Sequence, residues 1–240
     1  MSGKGGVGKS TISVLLANTL ADRGYKVGLL DGDITGPSTV RLMGLQGEKA
    51  YSDGKHFLPV VSPKGVKVIS LNLMLDSEDS PVIWRGSLLS TCVIQFWNEV
   101  LWGDLDYLVI DMPPGTGDIT LTVMQQIPIT GAVMVSLPQD MVSMIVAKAV
   151  NMAHMLKIKV IGTVQNMSYI TCPHCGEKIN IFGKETSDFL EKTGVPLLGE
   201  LPTDANLSSI SENGGEITDP VIKAEFDKIA DGILEAIKTK

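Results

Sequence analysis

Apolar residues in this chain are gathered into short blocks whose lengths and spacings alternate between two kinds. Ile12 to Leu20 is long enough for a buried helix, and Tyr25 to Leu30 is a shorter run that reads as a strand. Ser52-Asp53-Gly54-Lys55 is a hairpin-type turn between short strands, and Val66 to Leu71 returns to the sheet, with Pro59 and Pro63 marking edge or loop. Met74 to Pro81 reads as loop. Leu88 to Leu101 carries a helical face of Leu88, Leu89, Cys92, Phe96, Val100 and Leu101. Tyr107 to Ile110 is almost purely apolar, as expected of a parallel strand buried on both sides. Strand and helix then alternate: Ala132 to Leu137, Met141 to Leu156, Lys159 to Gln165, Lys184 to Lys192, Pro196 to Leu201, and a final helix opened by Pro220. The last helix has Val221, Ile222, Phe226, Ile229, Ile233 and Ile237 on one face. Alternation of this kind predicts an α/β fold, a mostly parallel sheet flanked by helices on both faces, in one domain over 1–240.

The polar gaps between the blocks hold the chemistry. Gly3, Lys4, Gly5, Gly6, Val7, Gly8, Lys9, Ser10 and Thr11 meet the GxxxxGK-plus-Ser/Thr pattern of a phosphate-binding loop. The glycines let successive backbone N–H groups point at an anion, Lys9 brings charge to the outer phosphates, and Ser10 offers a hydroxyl to Mg2+. The helix that follows adds its N-terminal partial charge at the same place. A loop of this class follows a buried strand, yet only Met1 and Ser2 precede Gly3. The sheet is therefore expected to lack its first, central strand, through a truncated or misassigned start or as a natural variant. Its flanking strands would then lose ladder partners.

Two aspartates fall at strand ends, where open α/β sheets bind ligands. Asp33, in Asp31-Gly32-Asp33-Ile34-Thr35-Gly36-Pro37-Ser38, is placed to orient or deprotonate a water attacking a γ-phosphate; alternatively it forms an Asx-turn before Gly36. Asp111 ends the run from Tyr107 and is placed to hold Mg2+, while Gly115 leaves backbone free to approach a γ-phosphate.

Composition narrows the classes. The chain has 240 residues, is 44% hydrophobic, and carries a formal charge of -7, which argues against a general nucleic-acid surface. No apolar run approaches the roughly 18 uncharged residues of a membrane span, so a cytoplasmic protein with neither nucleic-acid nor membrane partner is expected. The mixed charges on the polar face of the final helix favour core packing over membrane targeting. Cys92, Cys172 and Cys175 are too few for a disulfide framework. Cys92 lies on a helical core face. His154 reads as a surface or partly buried histidine, and the methionines at 141, 144, 152 and 155 as core filler or interface.

Cys172-Pro173-His174-Cys175-Gly176, within a segment spanning 169–183, places two thiolates on one turn. A thiol-disulfide site, a zinc shared between two chains, and a cluster bridging two chains all remain open. Zinc and cubane clusters usually take four ligands, and this chain has no second pair, so a homodimer giving two cysteines from each chain is expected.

The motifs together resemble a known family. GKGGVGKST, with its early Lys4, is similar to the deviant Walker A loop of dimeric ATPases. DGDITGPS, DMPPGTGD and NMSYITCPHCGEKINIFG resemble segments of the Mrp-type (ApbC-like) iron-sulfur cluster carrier ATPases, and the likeness runs from residue 3 to the final helix. The resemblance implies a P-loop NTPase fold of the deviant Walker A dimeric class, with ATP and Mg2+ as ligands and Lys4 reaching the partner's nucleotide. It also implies hydrolysis served by Asp33, the amide of Asn166 on the adenine edge, and Pro202 in a segment closing over the base. A [4Fe-4S] cluster would bridge Cys172 and Cys175 of both chains and pass to iron-sulfur apoproteins. A partition or division ATPase, a zinc-bridged regulatory ATPase and an electron-donating reductase are the alternatives.

Overall fold

Every residue of β1 (Val27–Asp31) is buried, as a parallel strand covered on both faces requires. Val27 and Leu29 enter one apolar core and Leu30 the other, so the strand divides the molecule into layers. The computed structural model describes residues 1–33, 38–75, 86–138, 144–180, 194–204, 207, 210 and 214–238, with 86, 87, 144 and 145 described by backbone alone.

One parallel set is centred on β1, which pairs with β5 (Lys67–Ile69) on one edge and β6 (Tyr107–Asp111) on the other. β4 (Val60–Val61) adds antiparallel to β5. A second parallel set runs in the order β10 (Leu197–Pro202), β8 (Val160–Thr171), β7 (Ala132–Ser136), and β9 (Lys178–Ile179) folds back antiparallel on the end of β8. The predicted turn at 52–55 joins β2 (Tyr51–Ser52) to β3 (Phe57–Leu58).

Helices cover both faces. α1 (Lys9–Asp22), α2 (Ser38–Leu42) and α6 (Pro220–Lys238) share a core with Leu29 and Val164, while α3 (Gly86–Glu99) and α4 (Asp118–Gln126) pack over Leu30 and Ile69 on the other side. α5 (Met144–Met155) sets Val146, Ala149 and Val150 against Met134 of β7. Pro220 opens α6 as expected, and Asp219 Oδ1 caps it by accepting from the backbone N–H of Val221 (2.7 Å) and Ile222 (3.1 Å).

Among the described residues no strand lies between β6 and β7, so the two parallel sets face each other across a cleft of about 390 Å³. Met1 reaches into it: its nitrogen donates to Val133 O at 2.7 Å and its carbonyl accepts from Val135 N at 2.7 Å. Leu108, Val109 and Ile110 are half-buried, where full burial was expected, because the neighbouring place in the sheet is open.

Four apolar residues depart from their expected places. Leu101 is exposed because α3 ends at Glu99 and the chain has already turned to bridge Val100 to Phe57. Leu88 is exposed on the first turn of the same helix. Val221 lies about 100° round α6 from the buried line of Ile222, Phe226, Ile229 and Ile233, and Met155 is on the side of α5 opposite Val146, Ala149 and Ala153. Met155 is thus not core filler. Cys92 is buried and His154 exposed, as expected. The loop expected after Met74, the helix at 184–192, Met141, and Ile34 to Pro37 lie largely or wholly outside the described residues.

Candidate functional site

The loop from Gly3 to Gly8 passes directly into α1, and the two glycines that shape it, Gly6 (φ 77°) and Gly8 (φ 84°), adopt the left-handed backbone open mainly to glycine. Lys4, Gly5 and Gly6 are exposed, whereas Val7 is buried and anchors the loop; Gly3, Ser10 and Thr11 are half-buried. Ser2 Oγ donates to Lys4 O at 3.0 Å. Gly115 N donates to Ser2 O at 2.9 Å, which fastens the segment after β6 to the root of the phosphate loop.

Lys9 is buried and points back onto the strand ends. Its Nζ is 2.9 Å from Asp111 Oδ1, 3.6 Å from Asp33 Oδ2 and 3.4 Å from Ser10 Oγ. Asp111 is fully buried and also accepts from Ser13 Oγ (3.1 Å) and Thr39 Oγ1 (3.4 Å). Parallel register sets Asp31 on the same rung as Asp111. Burial, and then the neighbouring Asp111 carboxylate, hold the Asp31 carboxyl well above the usual carboxylate range; Ser70 Oγ (2.9 Å) and the Asp33 N–H (3.1 Å) donate to it. Ser13, Thr39, Asp31 and Ser70 were not singled out from sequence. Ser13 is one helical turn beyond Lys9, and Ser70 follows the Leu30–Ile69 pair that aligns it with Asp31; both positions were readable once register was known.

The arrangement combines an anion-accepting loop, a cation that can leave its carboxylate for that anion, and the hydroxyl of Ser10 beside the carboxylate of Asp111. Such hard oxygen donors fit a Mg2+-like cation, and the Lys9 ammonium already lies where they converge.

Asn166 sits inside β8, which runs on past the strand end expected at Gln165. Between the pairs Gln165–Glu200 and Tyr169–Pro202, β8 advances four residues while β10 advances two, so Asn166, Met167 and Ser168 bulge. Met167 takes φ 52° there. Bulges re-aim side chains; here the bulge turns Asn166 under the phosphate loop, where Nδ2 donates to Val7 O at 3.0 Å. The same contact leaves no room for a side chain at Gly8, where a Cβ would stand 2.2 Å from Asn166 Nδ2. Pro202, buried at the end of β10, lies beside Tyr169 in register with it.

Thr171 ends β8 and the CxxC turn follows at once. Cys172 N donates to Glu177 O and Gly176 N to Cys172 O, both at 2.9 Å, with Gly176 at φ 74° completing the turn. The Cys172 thiol is held below its ordinary range by hydrogen bonds from the backbone N–H of Cys175 and then of His174. Cys175 and His174 are exposed, and among the described residues no group of three His, Cys, Asp or Glu forms that could hold a metal. Lys178 steadies the hairpin, lying 4.3 Å from the Tyr169 ring centre and 3.7 Å from Glu225 of α6. Ile170 and Ile179, paired at its base, are exposed.

Comparison with known proteins adds three findings. A family model described as NUBPL iron-transfer P-loop NTPase, of the ParA group, matches residues 1–238. Proteins named iron-sulfur cluster carrier protein are similar along most of the chain. That of Clostridium perfringens is 53% identical over 222 residues, covering 89% of this chain and 78% of the relative. That of Saccharolobus solfataricus is 40% identical over 245 residues, covering 100% and 83%. Among solved structures, a nucleotide-binding protein of Archaeoglobus fulgidus, described in complex with ADP and with cobalt, superposes with a TM-score of 0.80. It is 41% identical and covers 94% of this chain and 89% of its own. The cell division ATPase MinD of Pyrococcus furiosus, at TM-score 0.67 and 21% identity over 98% and 96%, shares the fold.

Proposed function

This chain belongs to the family of NUBPL-type iron-transfer P-loop NTPases, and from that membership we propose that it is an ATP-hydrolysing carrier of iron-sulfur clusters. Working as a homodimer, it holds a [4Fe-4S] cluster between the CxxC turns of two chains and passes it to apoproteins. The observation that carries this reading is the turn at Cys172, where two backbone N–H groups aim at one sulfur. Such hydrogen bonds favour the thiolate, the form that binds metal. One chain supplies two thiolates where a cubane takes four ligands, so a second copy completes the set. The exposed Ile170 and Ile179 beneath the turn give that contact an apolar base.

At the other site, the loop N–H groups and Lys9 hold the phosphates of ATP, whose likeness to the ADP of the Archaeoglobus protein supports the assignment. Lys9 exchanges Asp111 for phosphate, Lys4 reaches the nucleotide of the partner, and Asp33 accepts a hydrogen bond from the attacking water. Ser10 and Asp111 would hold Mg2+, which supplies positive charge to the β- and γ-phosphate oxygens when bound. Asn166 and Pro202 would meet the adenine base, Asn166 through its amide.

Anaerobic reconstitution with iron and sulfide tests the carrier reading. The parent chain should develop the visible spectrum of a cluster at one per dimer, and Cys172→Ala and Cys175→Ala should each lose it. Stoichiometric zinc with no iron uptake by the parent would replace the carrier with a zinc-bridged regulator.

A further inference from the structure

The cysteine turn sits at the tip of a slender hairpin. β9 meets β8 over two rungs, Ile170 with Ile179 and Thr171 with Lys178, and a two-stranded hairpin of that size is marginal by itself. Its apolar pair, Ile170 and Ile179, is exposed, so that face buries little area to hold it in place. Whatever fixes the direction of the turn must act on the other face.

Side chains alternate across a strand, so Tyr169, Thr171 and Lys178 share the face opposite the two isoleucines. There Lys178 reaches from β9 to the body of the molecule twice. Its Nζ lies 4.3 Å from the centre of the Tyr169 ring and 3.7 Å from Glu225 Oε1. Both anchors are firm. Tyr169 is 4% exposed, and its carbonyl accepts from Thr203 N at 2.8 Å. Glu225 stands on α6 between Ile222 and Phe226, both buried in the core beneath that helix. Glu200 of β10 adds a further carboxylate near the ammonium. A cation over a ring face and an exposed ion pair are each modest interactions, but a hairpin of two rungs needs little to be held.

We propose that Lys178 is a positioning residue for the cysteine turn: pinned between the Tyr169 ring and Glu225, it sets the angle of the turn to β8 and α6, and through that angle how long the turn retains its cargo. The cargo rests on the carrier reading given above, whereas the pinning of the turn does not. The same arrangement keeps Ile170 and Ile179 facing outward, where a second copy can cover them.

The test compares the parent with three variants: Lys178→Met keeps the apolar stem and loses the charge, Lys178→Arg keeps charge and stacking, and Glu225→Gln removes the ion pair alone. In the metal-free chain the amides of Cys172 and Gly176 donate to Glu177 O and Cys172 O. Their exchange should quicken about fivefold to tenfold in Lys178→Met and less in Glu225→Gln, with Lys178→Arg like the parent and Tm unchanged in all. In the chain reconstituted with iron and sulfide, loss of the visible cluster spectrum to an iron chelator should be faster by a similar factor in Lys178→Met and restored in Lys178→Arg. High salt should hasten that loss in the parent and not in Lys178→Met, since only a charge is screened. Unchanged exchange in Lys178→Met would overturn the proposal, as would a Lys178→Arg variant as loose as Lys178→Met, or quickened exchange with cluster loss at the parent rate. A parent that takes up no iron would end the carrier reading instead, and the exchange measurement alone would then decide whether Lys178 pins the turn.

Discussion

Lys9 Nζ lies 2.9 Å from Asp111 Oδ1, both side chains buried, so the lysine expected to face phosphate is paired with the carboxylate expected to face the metal. A buried pair broken on one side leaves an uncompensated charge. Lys9→Ala should therefore both weaken ATP binding and lower unfolding free energy by about 3–5 kcal/mol. Lys9→Ala/Asp111→Asn should recover much of the stability and none of the affinity. Urea denaturation beside nucleotide titration separates the two losses; an unchanged stability in Lys9→Ala would show that the pair does not persist in solution.

Asp33 is further from Lys9, at 3.6 Å, and half-buried, so its removal leaves the stronger pair intact. Asp33→Ala should bind ATP like the parent while hydrolysing it about a hundredfold or more slowly, the usual range for a lost general base. Equal loss of affinity would move Asp33 to the binding set.

Gly8 and Asn166 form a packed pair that can be tested by substitution in both partners. Gly8→Ala meets the Asn166 amide at 2.2 Å and also forces alanine to φ 84°, so ATP binding should be lost. Gly8→Ala/Asn166→Ala removes the clash and leaves a strain of roughly 1 kcal/mol from the left-handed backbone. Partial recovery of affinity in the double variant is the expected result. No recovery would mean that the loop conformation, not the Asn166 contact, sets the requirement for glycine.

These contacts show what a sequence can and cannot carry. Local patterns were legible: the glycine loop, Asp111 closing an apolar run, and Pro220 opening α6 all depend on neighbours a few residues apart. Asn166 was misplaced because a bulge depends on the partner strand, and β10 lies more than thirty residues downstream in the sequence. Asp31 went unremarked as a member of the site because its burial comes from the rung it shares with Asp111. The half-burial of Leu108 to Ile110 follows from the cleft beside β6, which no property of the run itself encodes. Val221 was misassigned because it lies one 100° step from Ile222, off the buried line of the helix.

The cysteines should separate cleanly by reactivity. Burial pushes the Cys92 thiol up to about 11, so at pH 8 it stays protonated and shielded, while Cys172 and Cys175 lie at the surface. Alkylation of the metal-free chain at pH 8 should label about two thiols per chain and the third only after unfolding, with peptide mapping to locate them. Rapid labelling of Cys92 in the folded chain would mean that the core under α3 opens readily.

The two sites share a strand. β8 supports the phosphate loop through Asn166 and ends one residue before Cys172, six positions further along the chain. A ligand that fixes the loop thus acts on the same element that orients the cluster turn, and Lys4 adds a second link if it crosses to the nucleotide of the partner. In the proposed homodimer both ligands would favour one closed form, and linkage would make the effect reciprocal: the factor by which ATP tightens cluster retention is the factor by which cluster tightens ATP. Coupling of roughly 1–3 kcal/mol corresponds to a 5- to 150-fold change in affinity. Lys4→Ala should reduce the factor toward one while leaving each ligand able to bind, whereas Asn166→Ala should lower the coupling and the affinity for ATP together. The measurement is ATP affinity with and without cluster in the parent and both variants. Identical affinities in the parent would show the sites to be independent, and a carrier mechanism in which nucleotide controls release of the cluster would then fail.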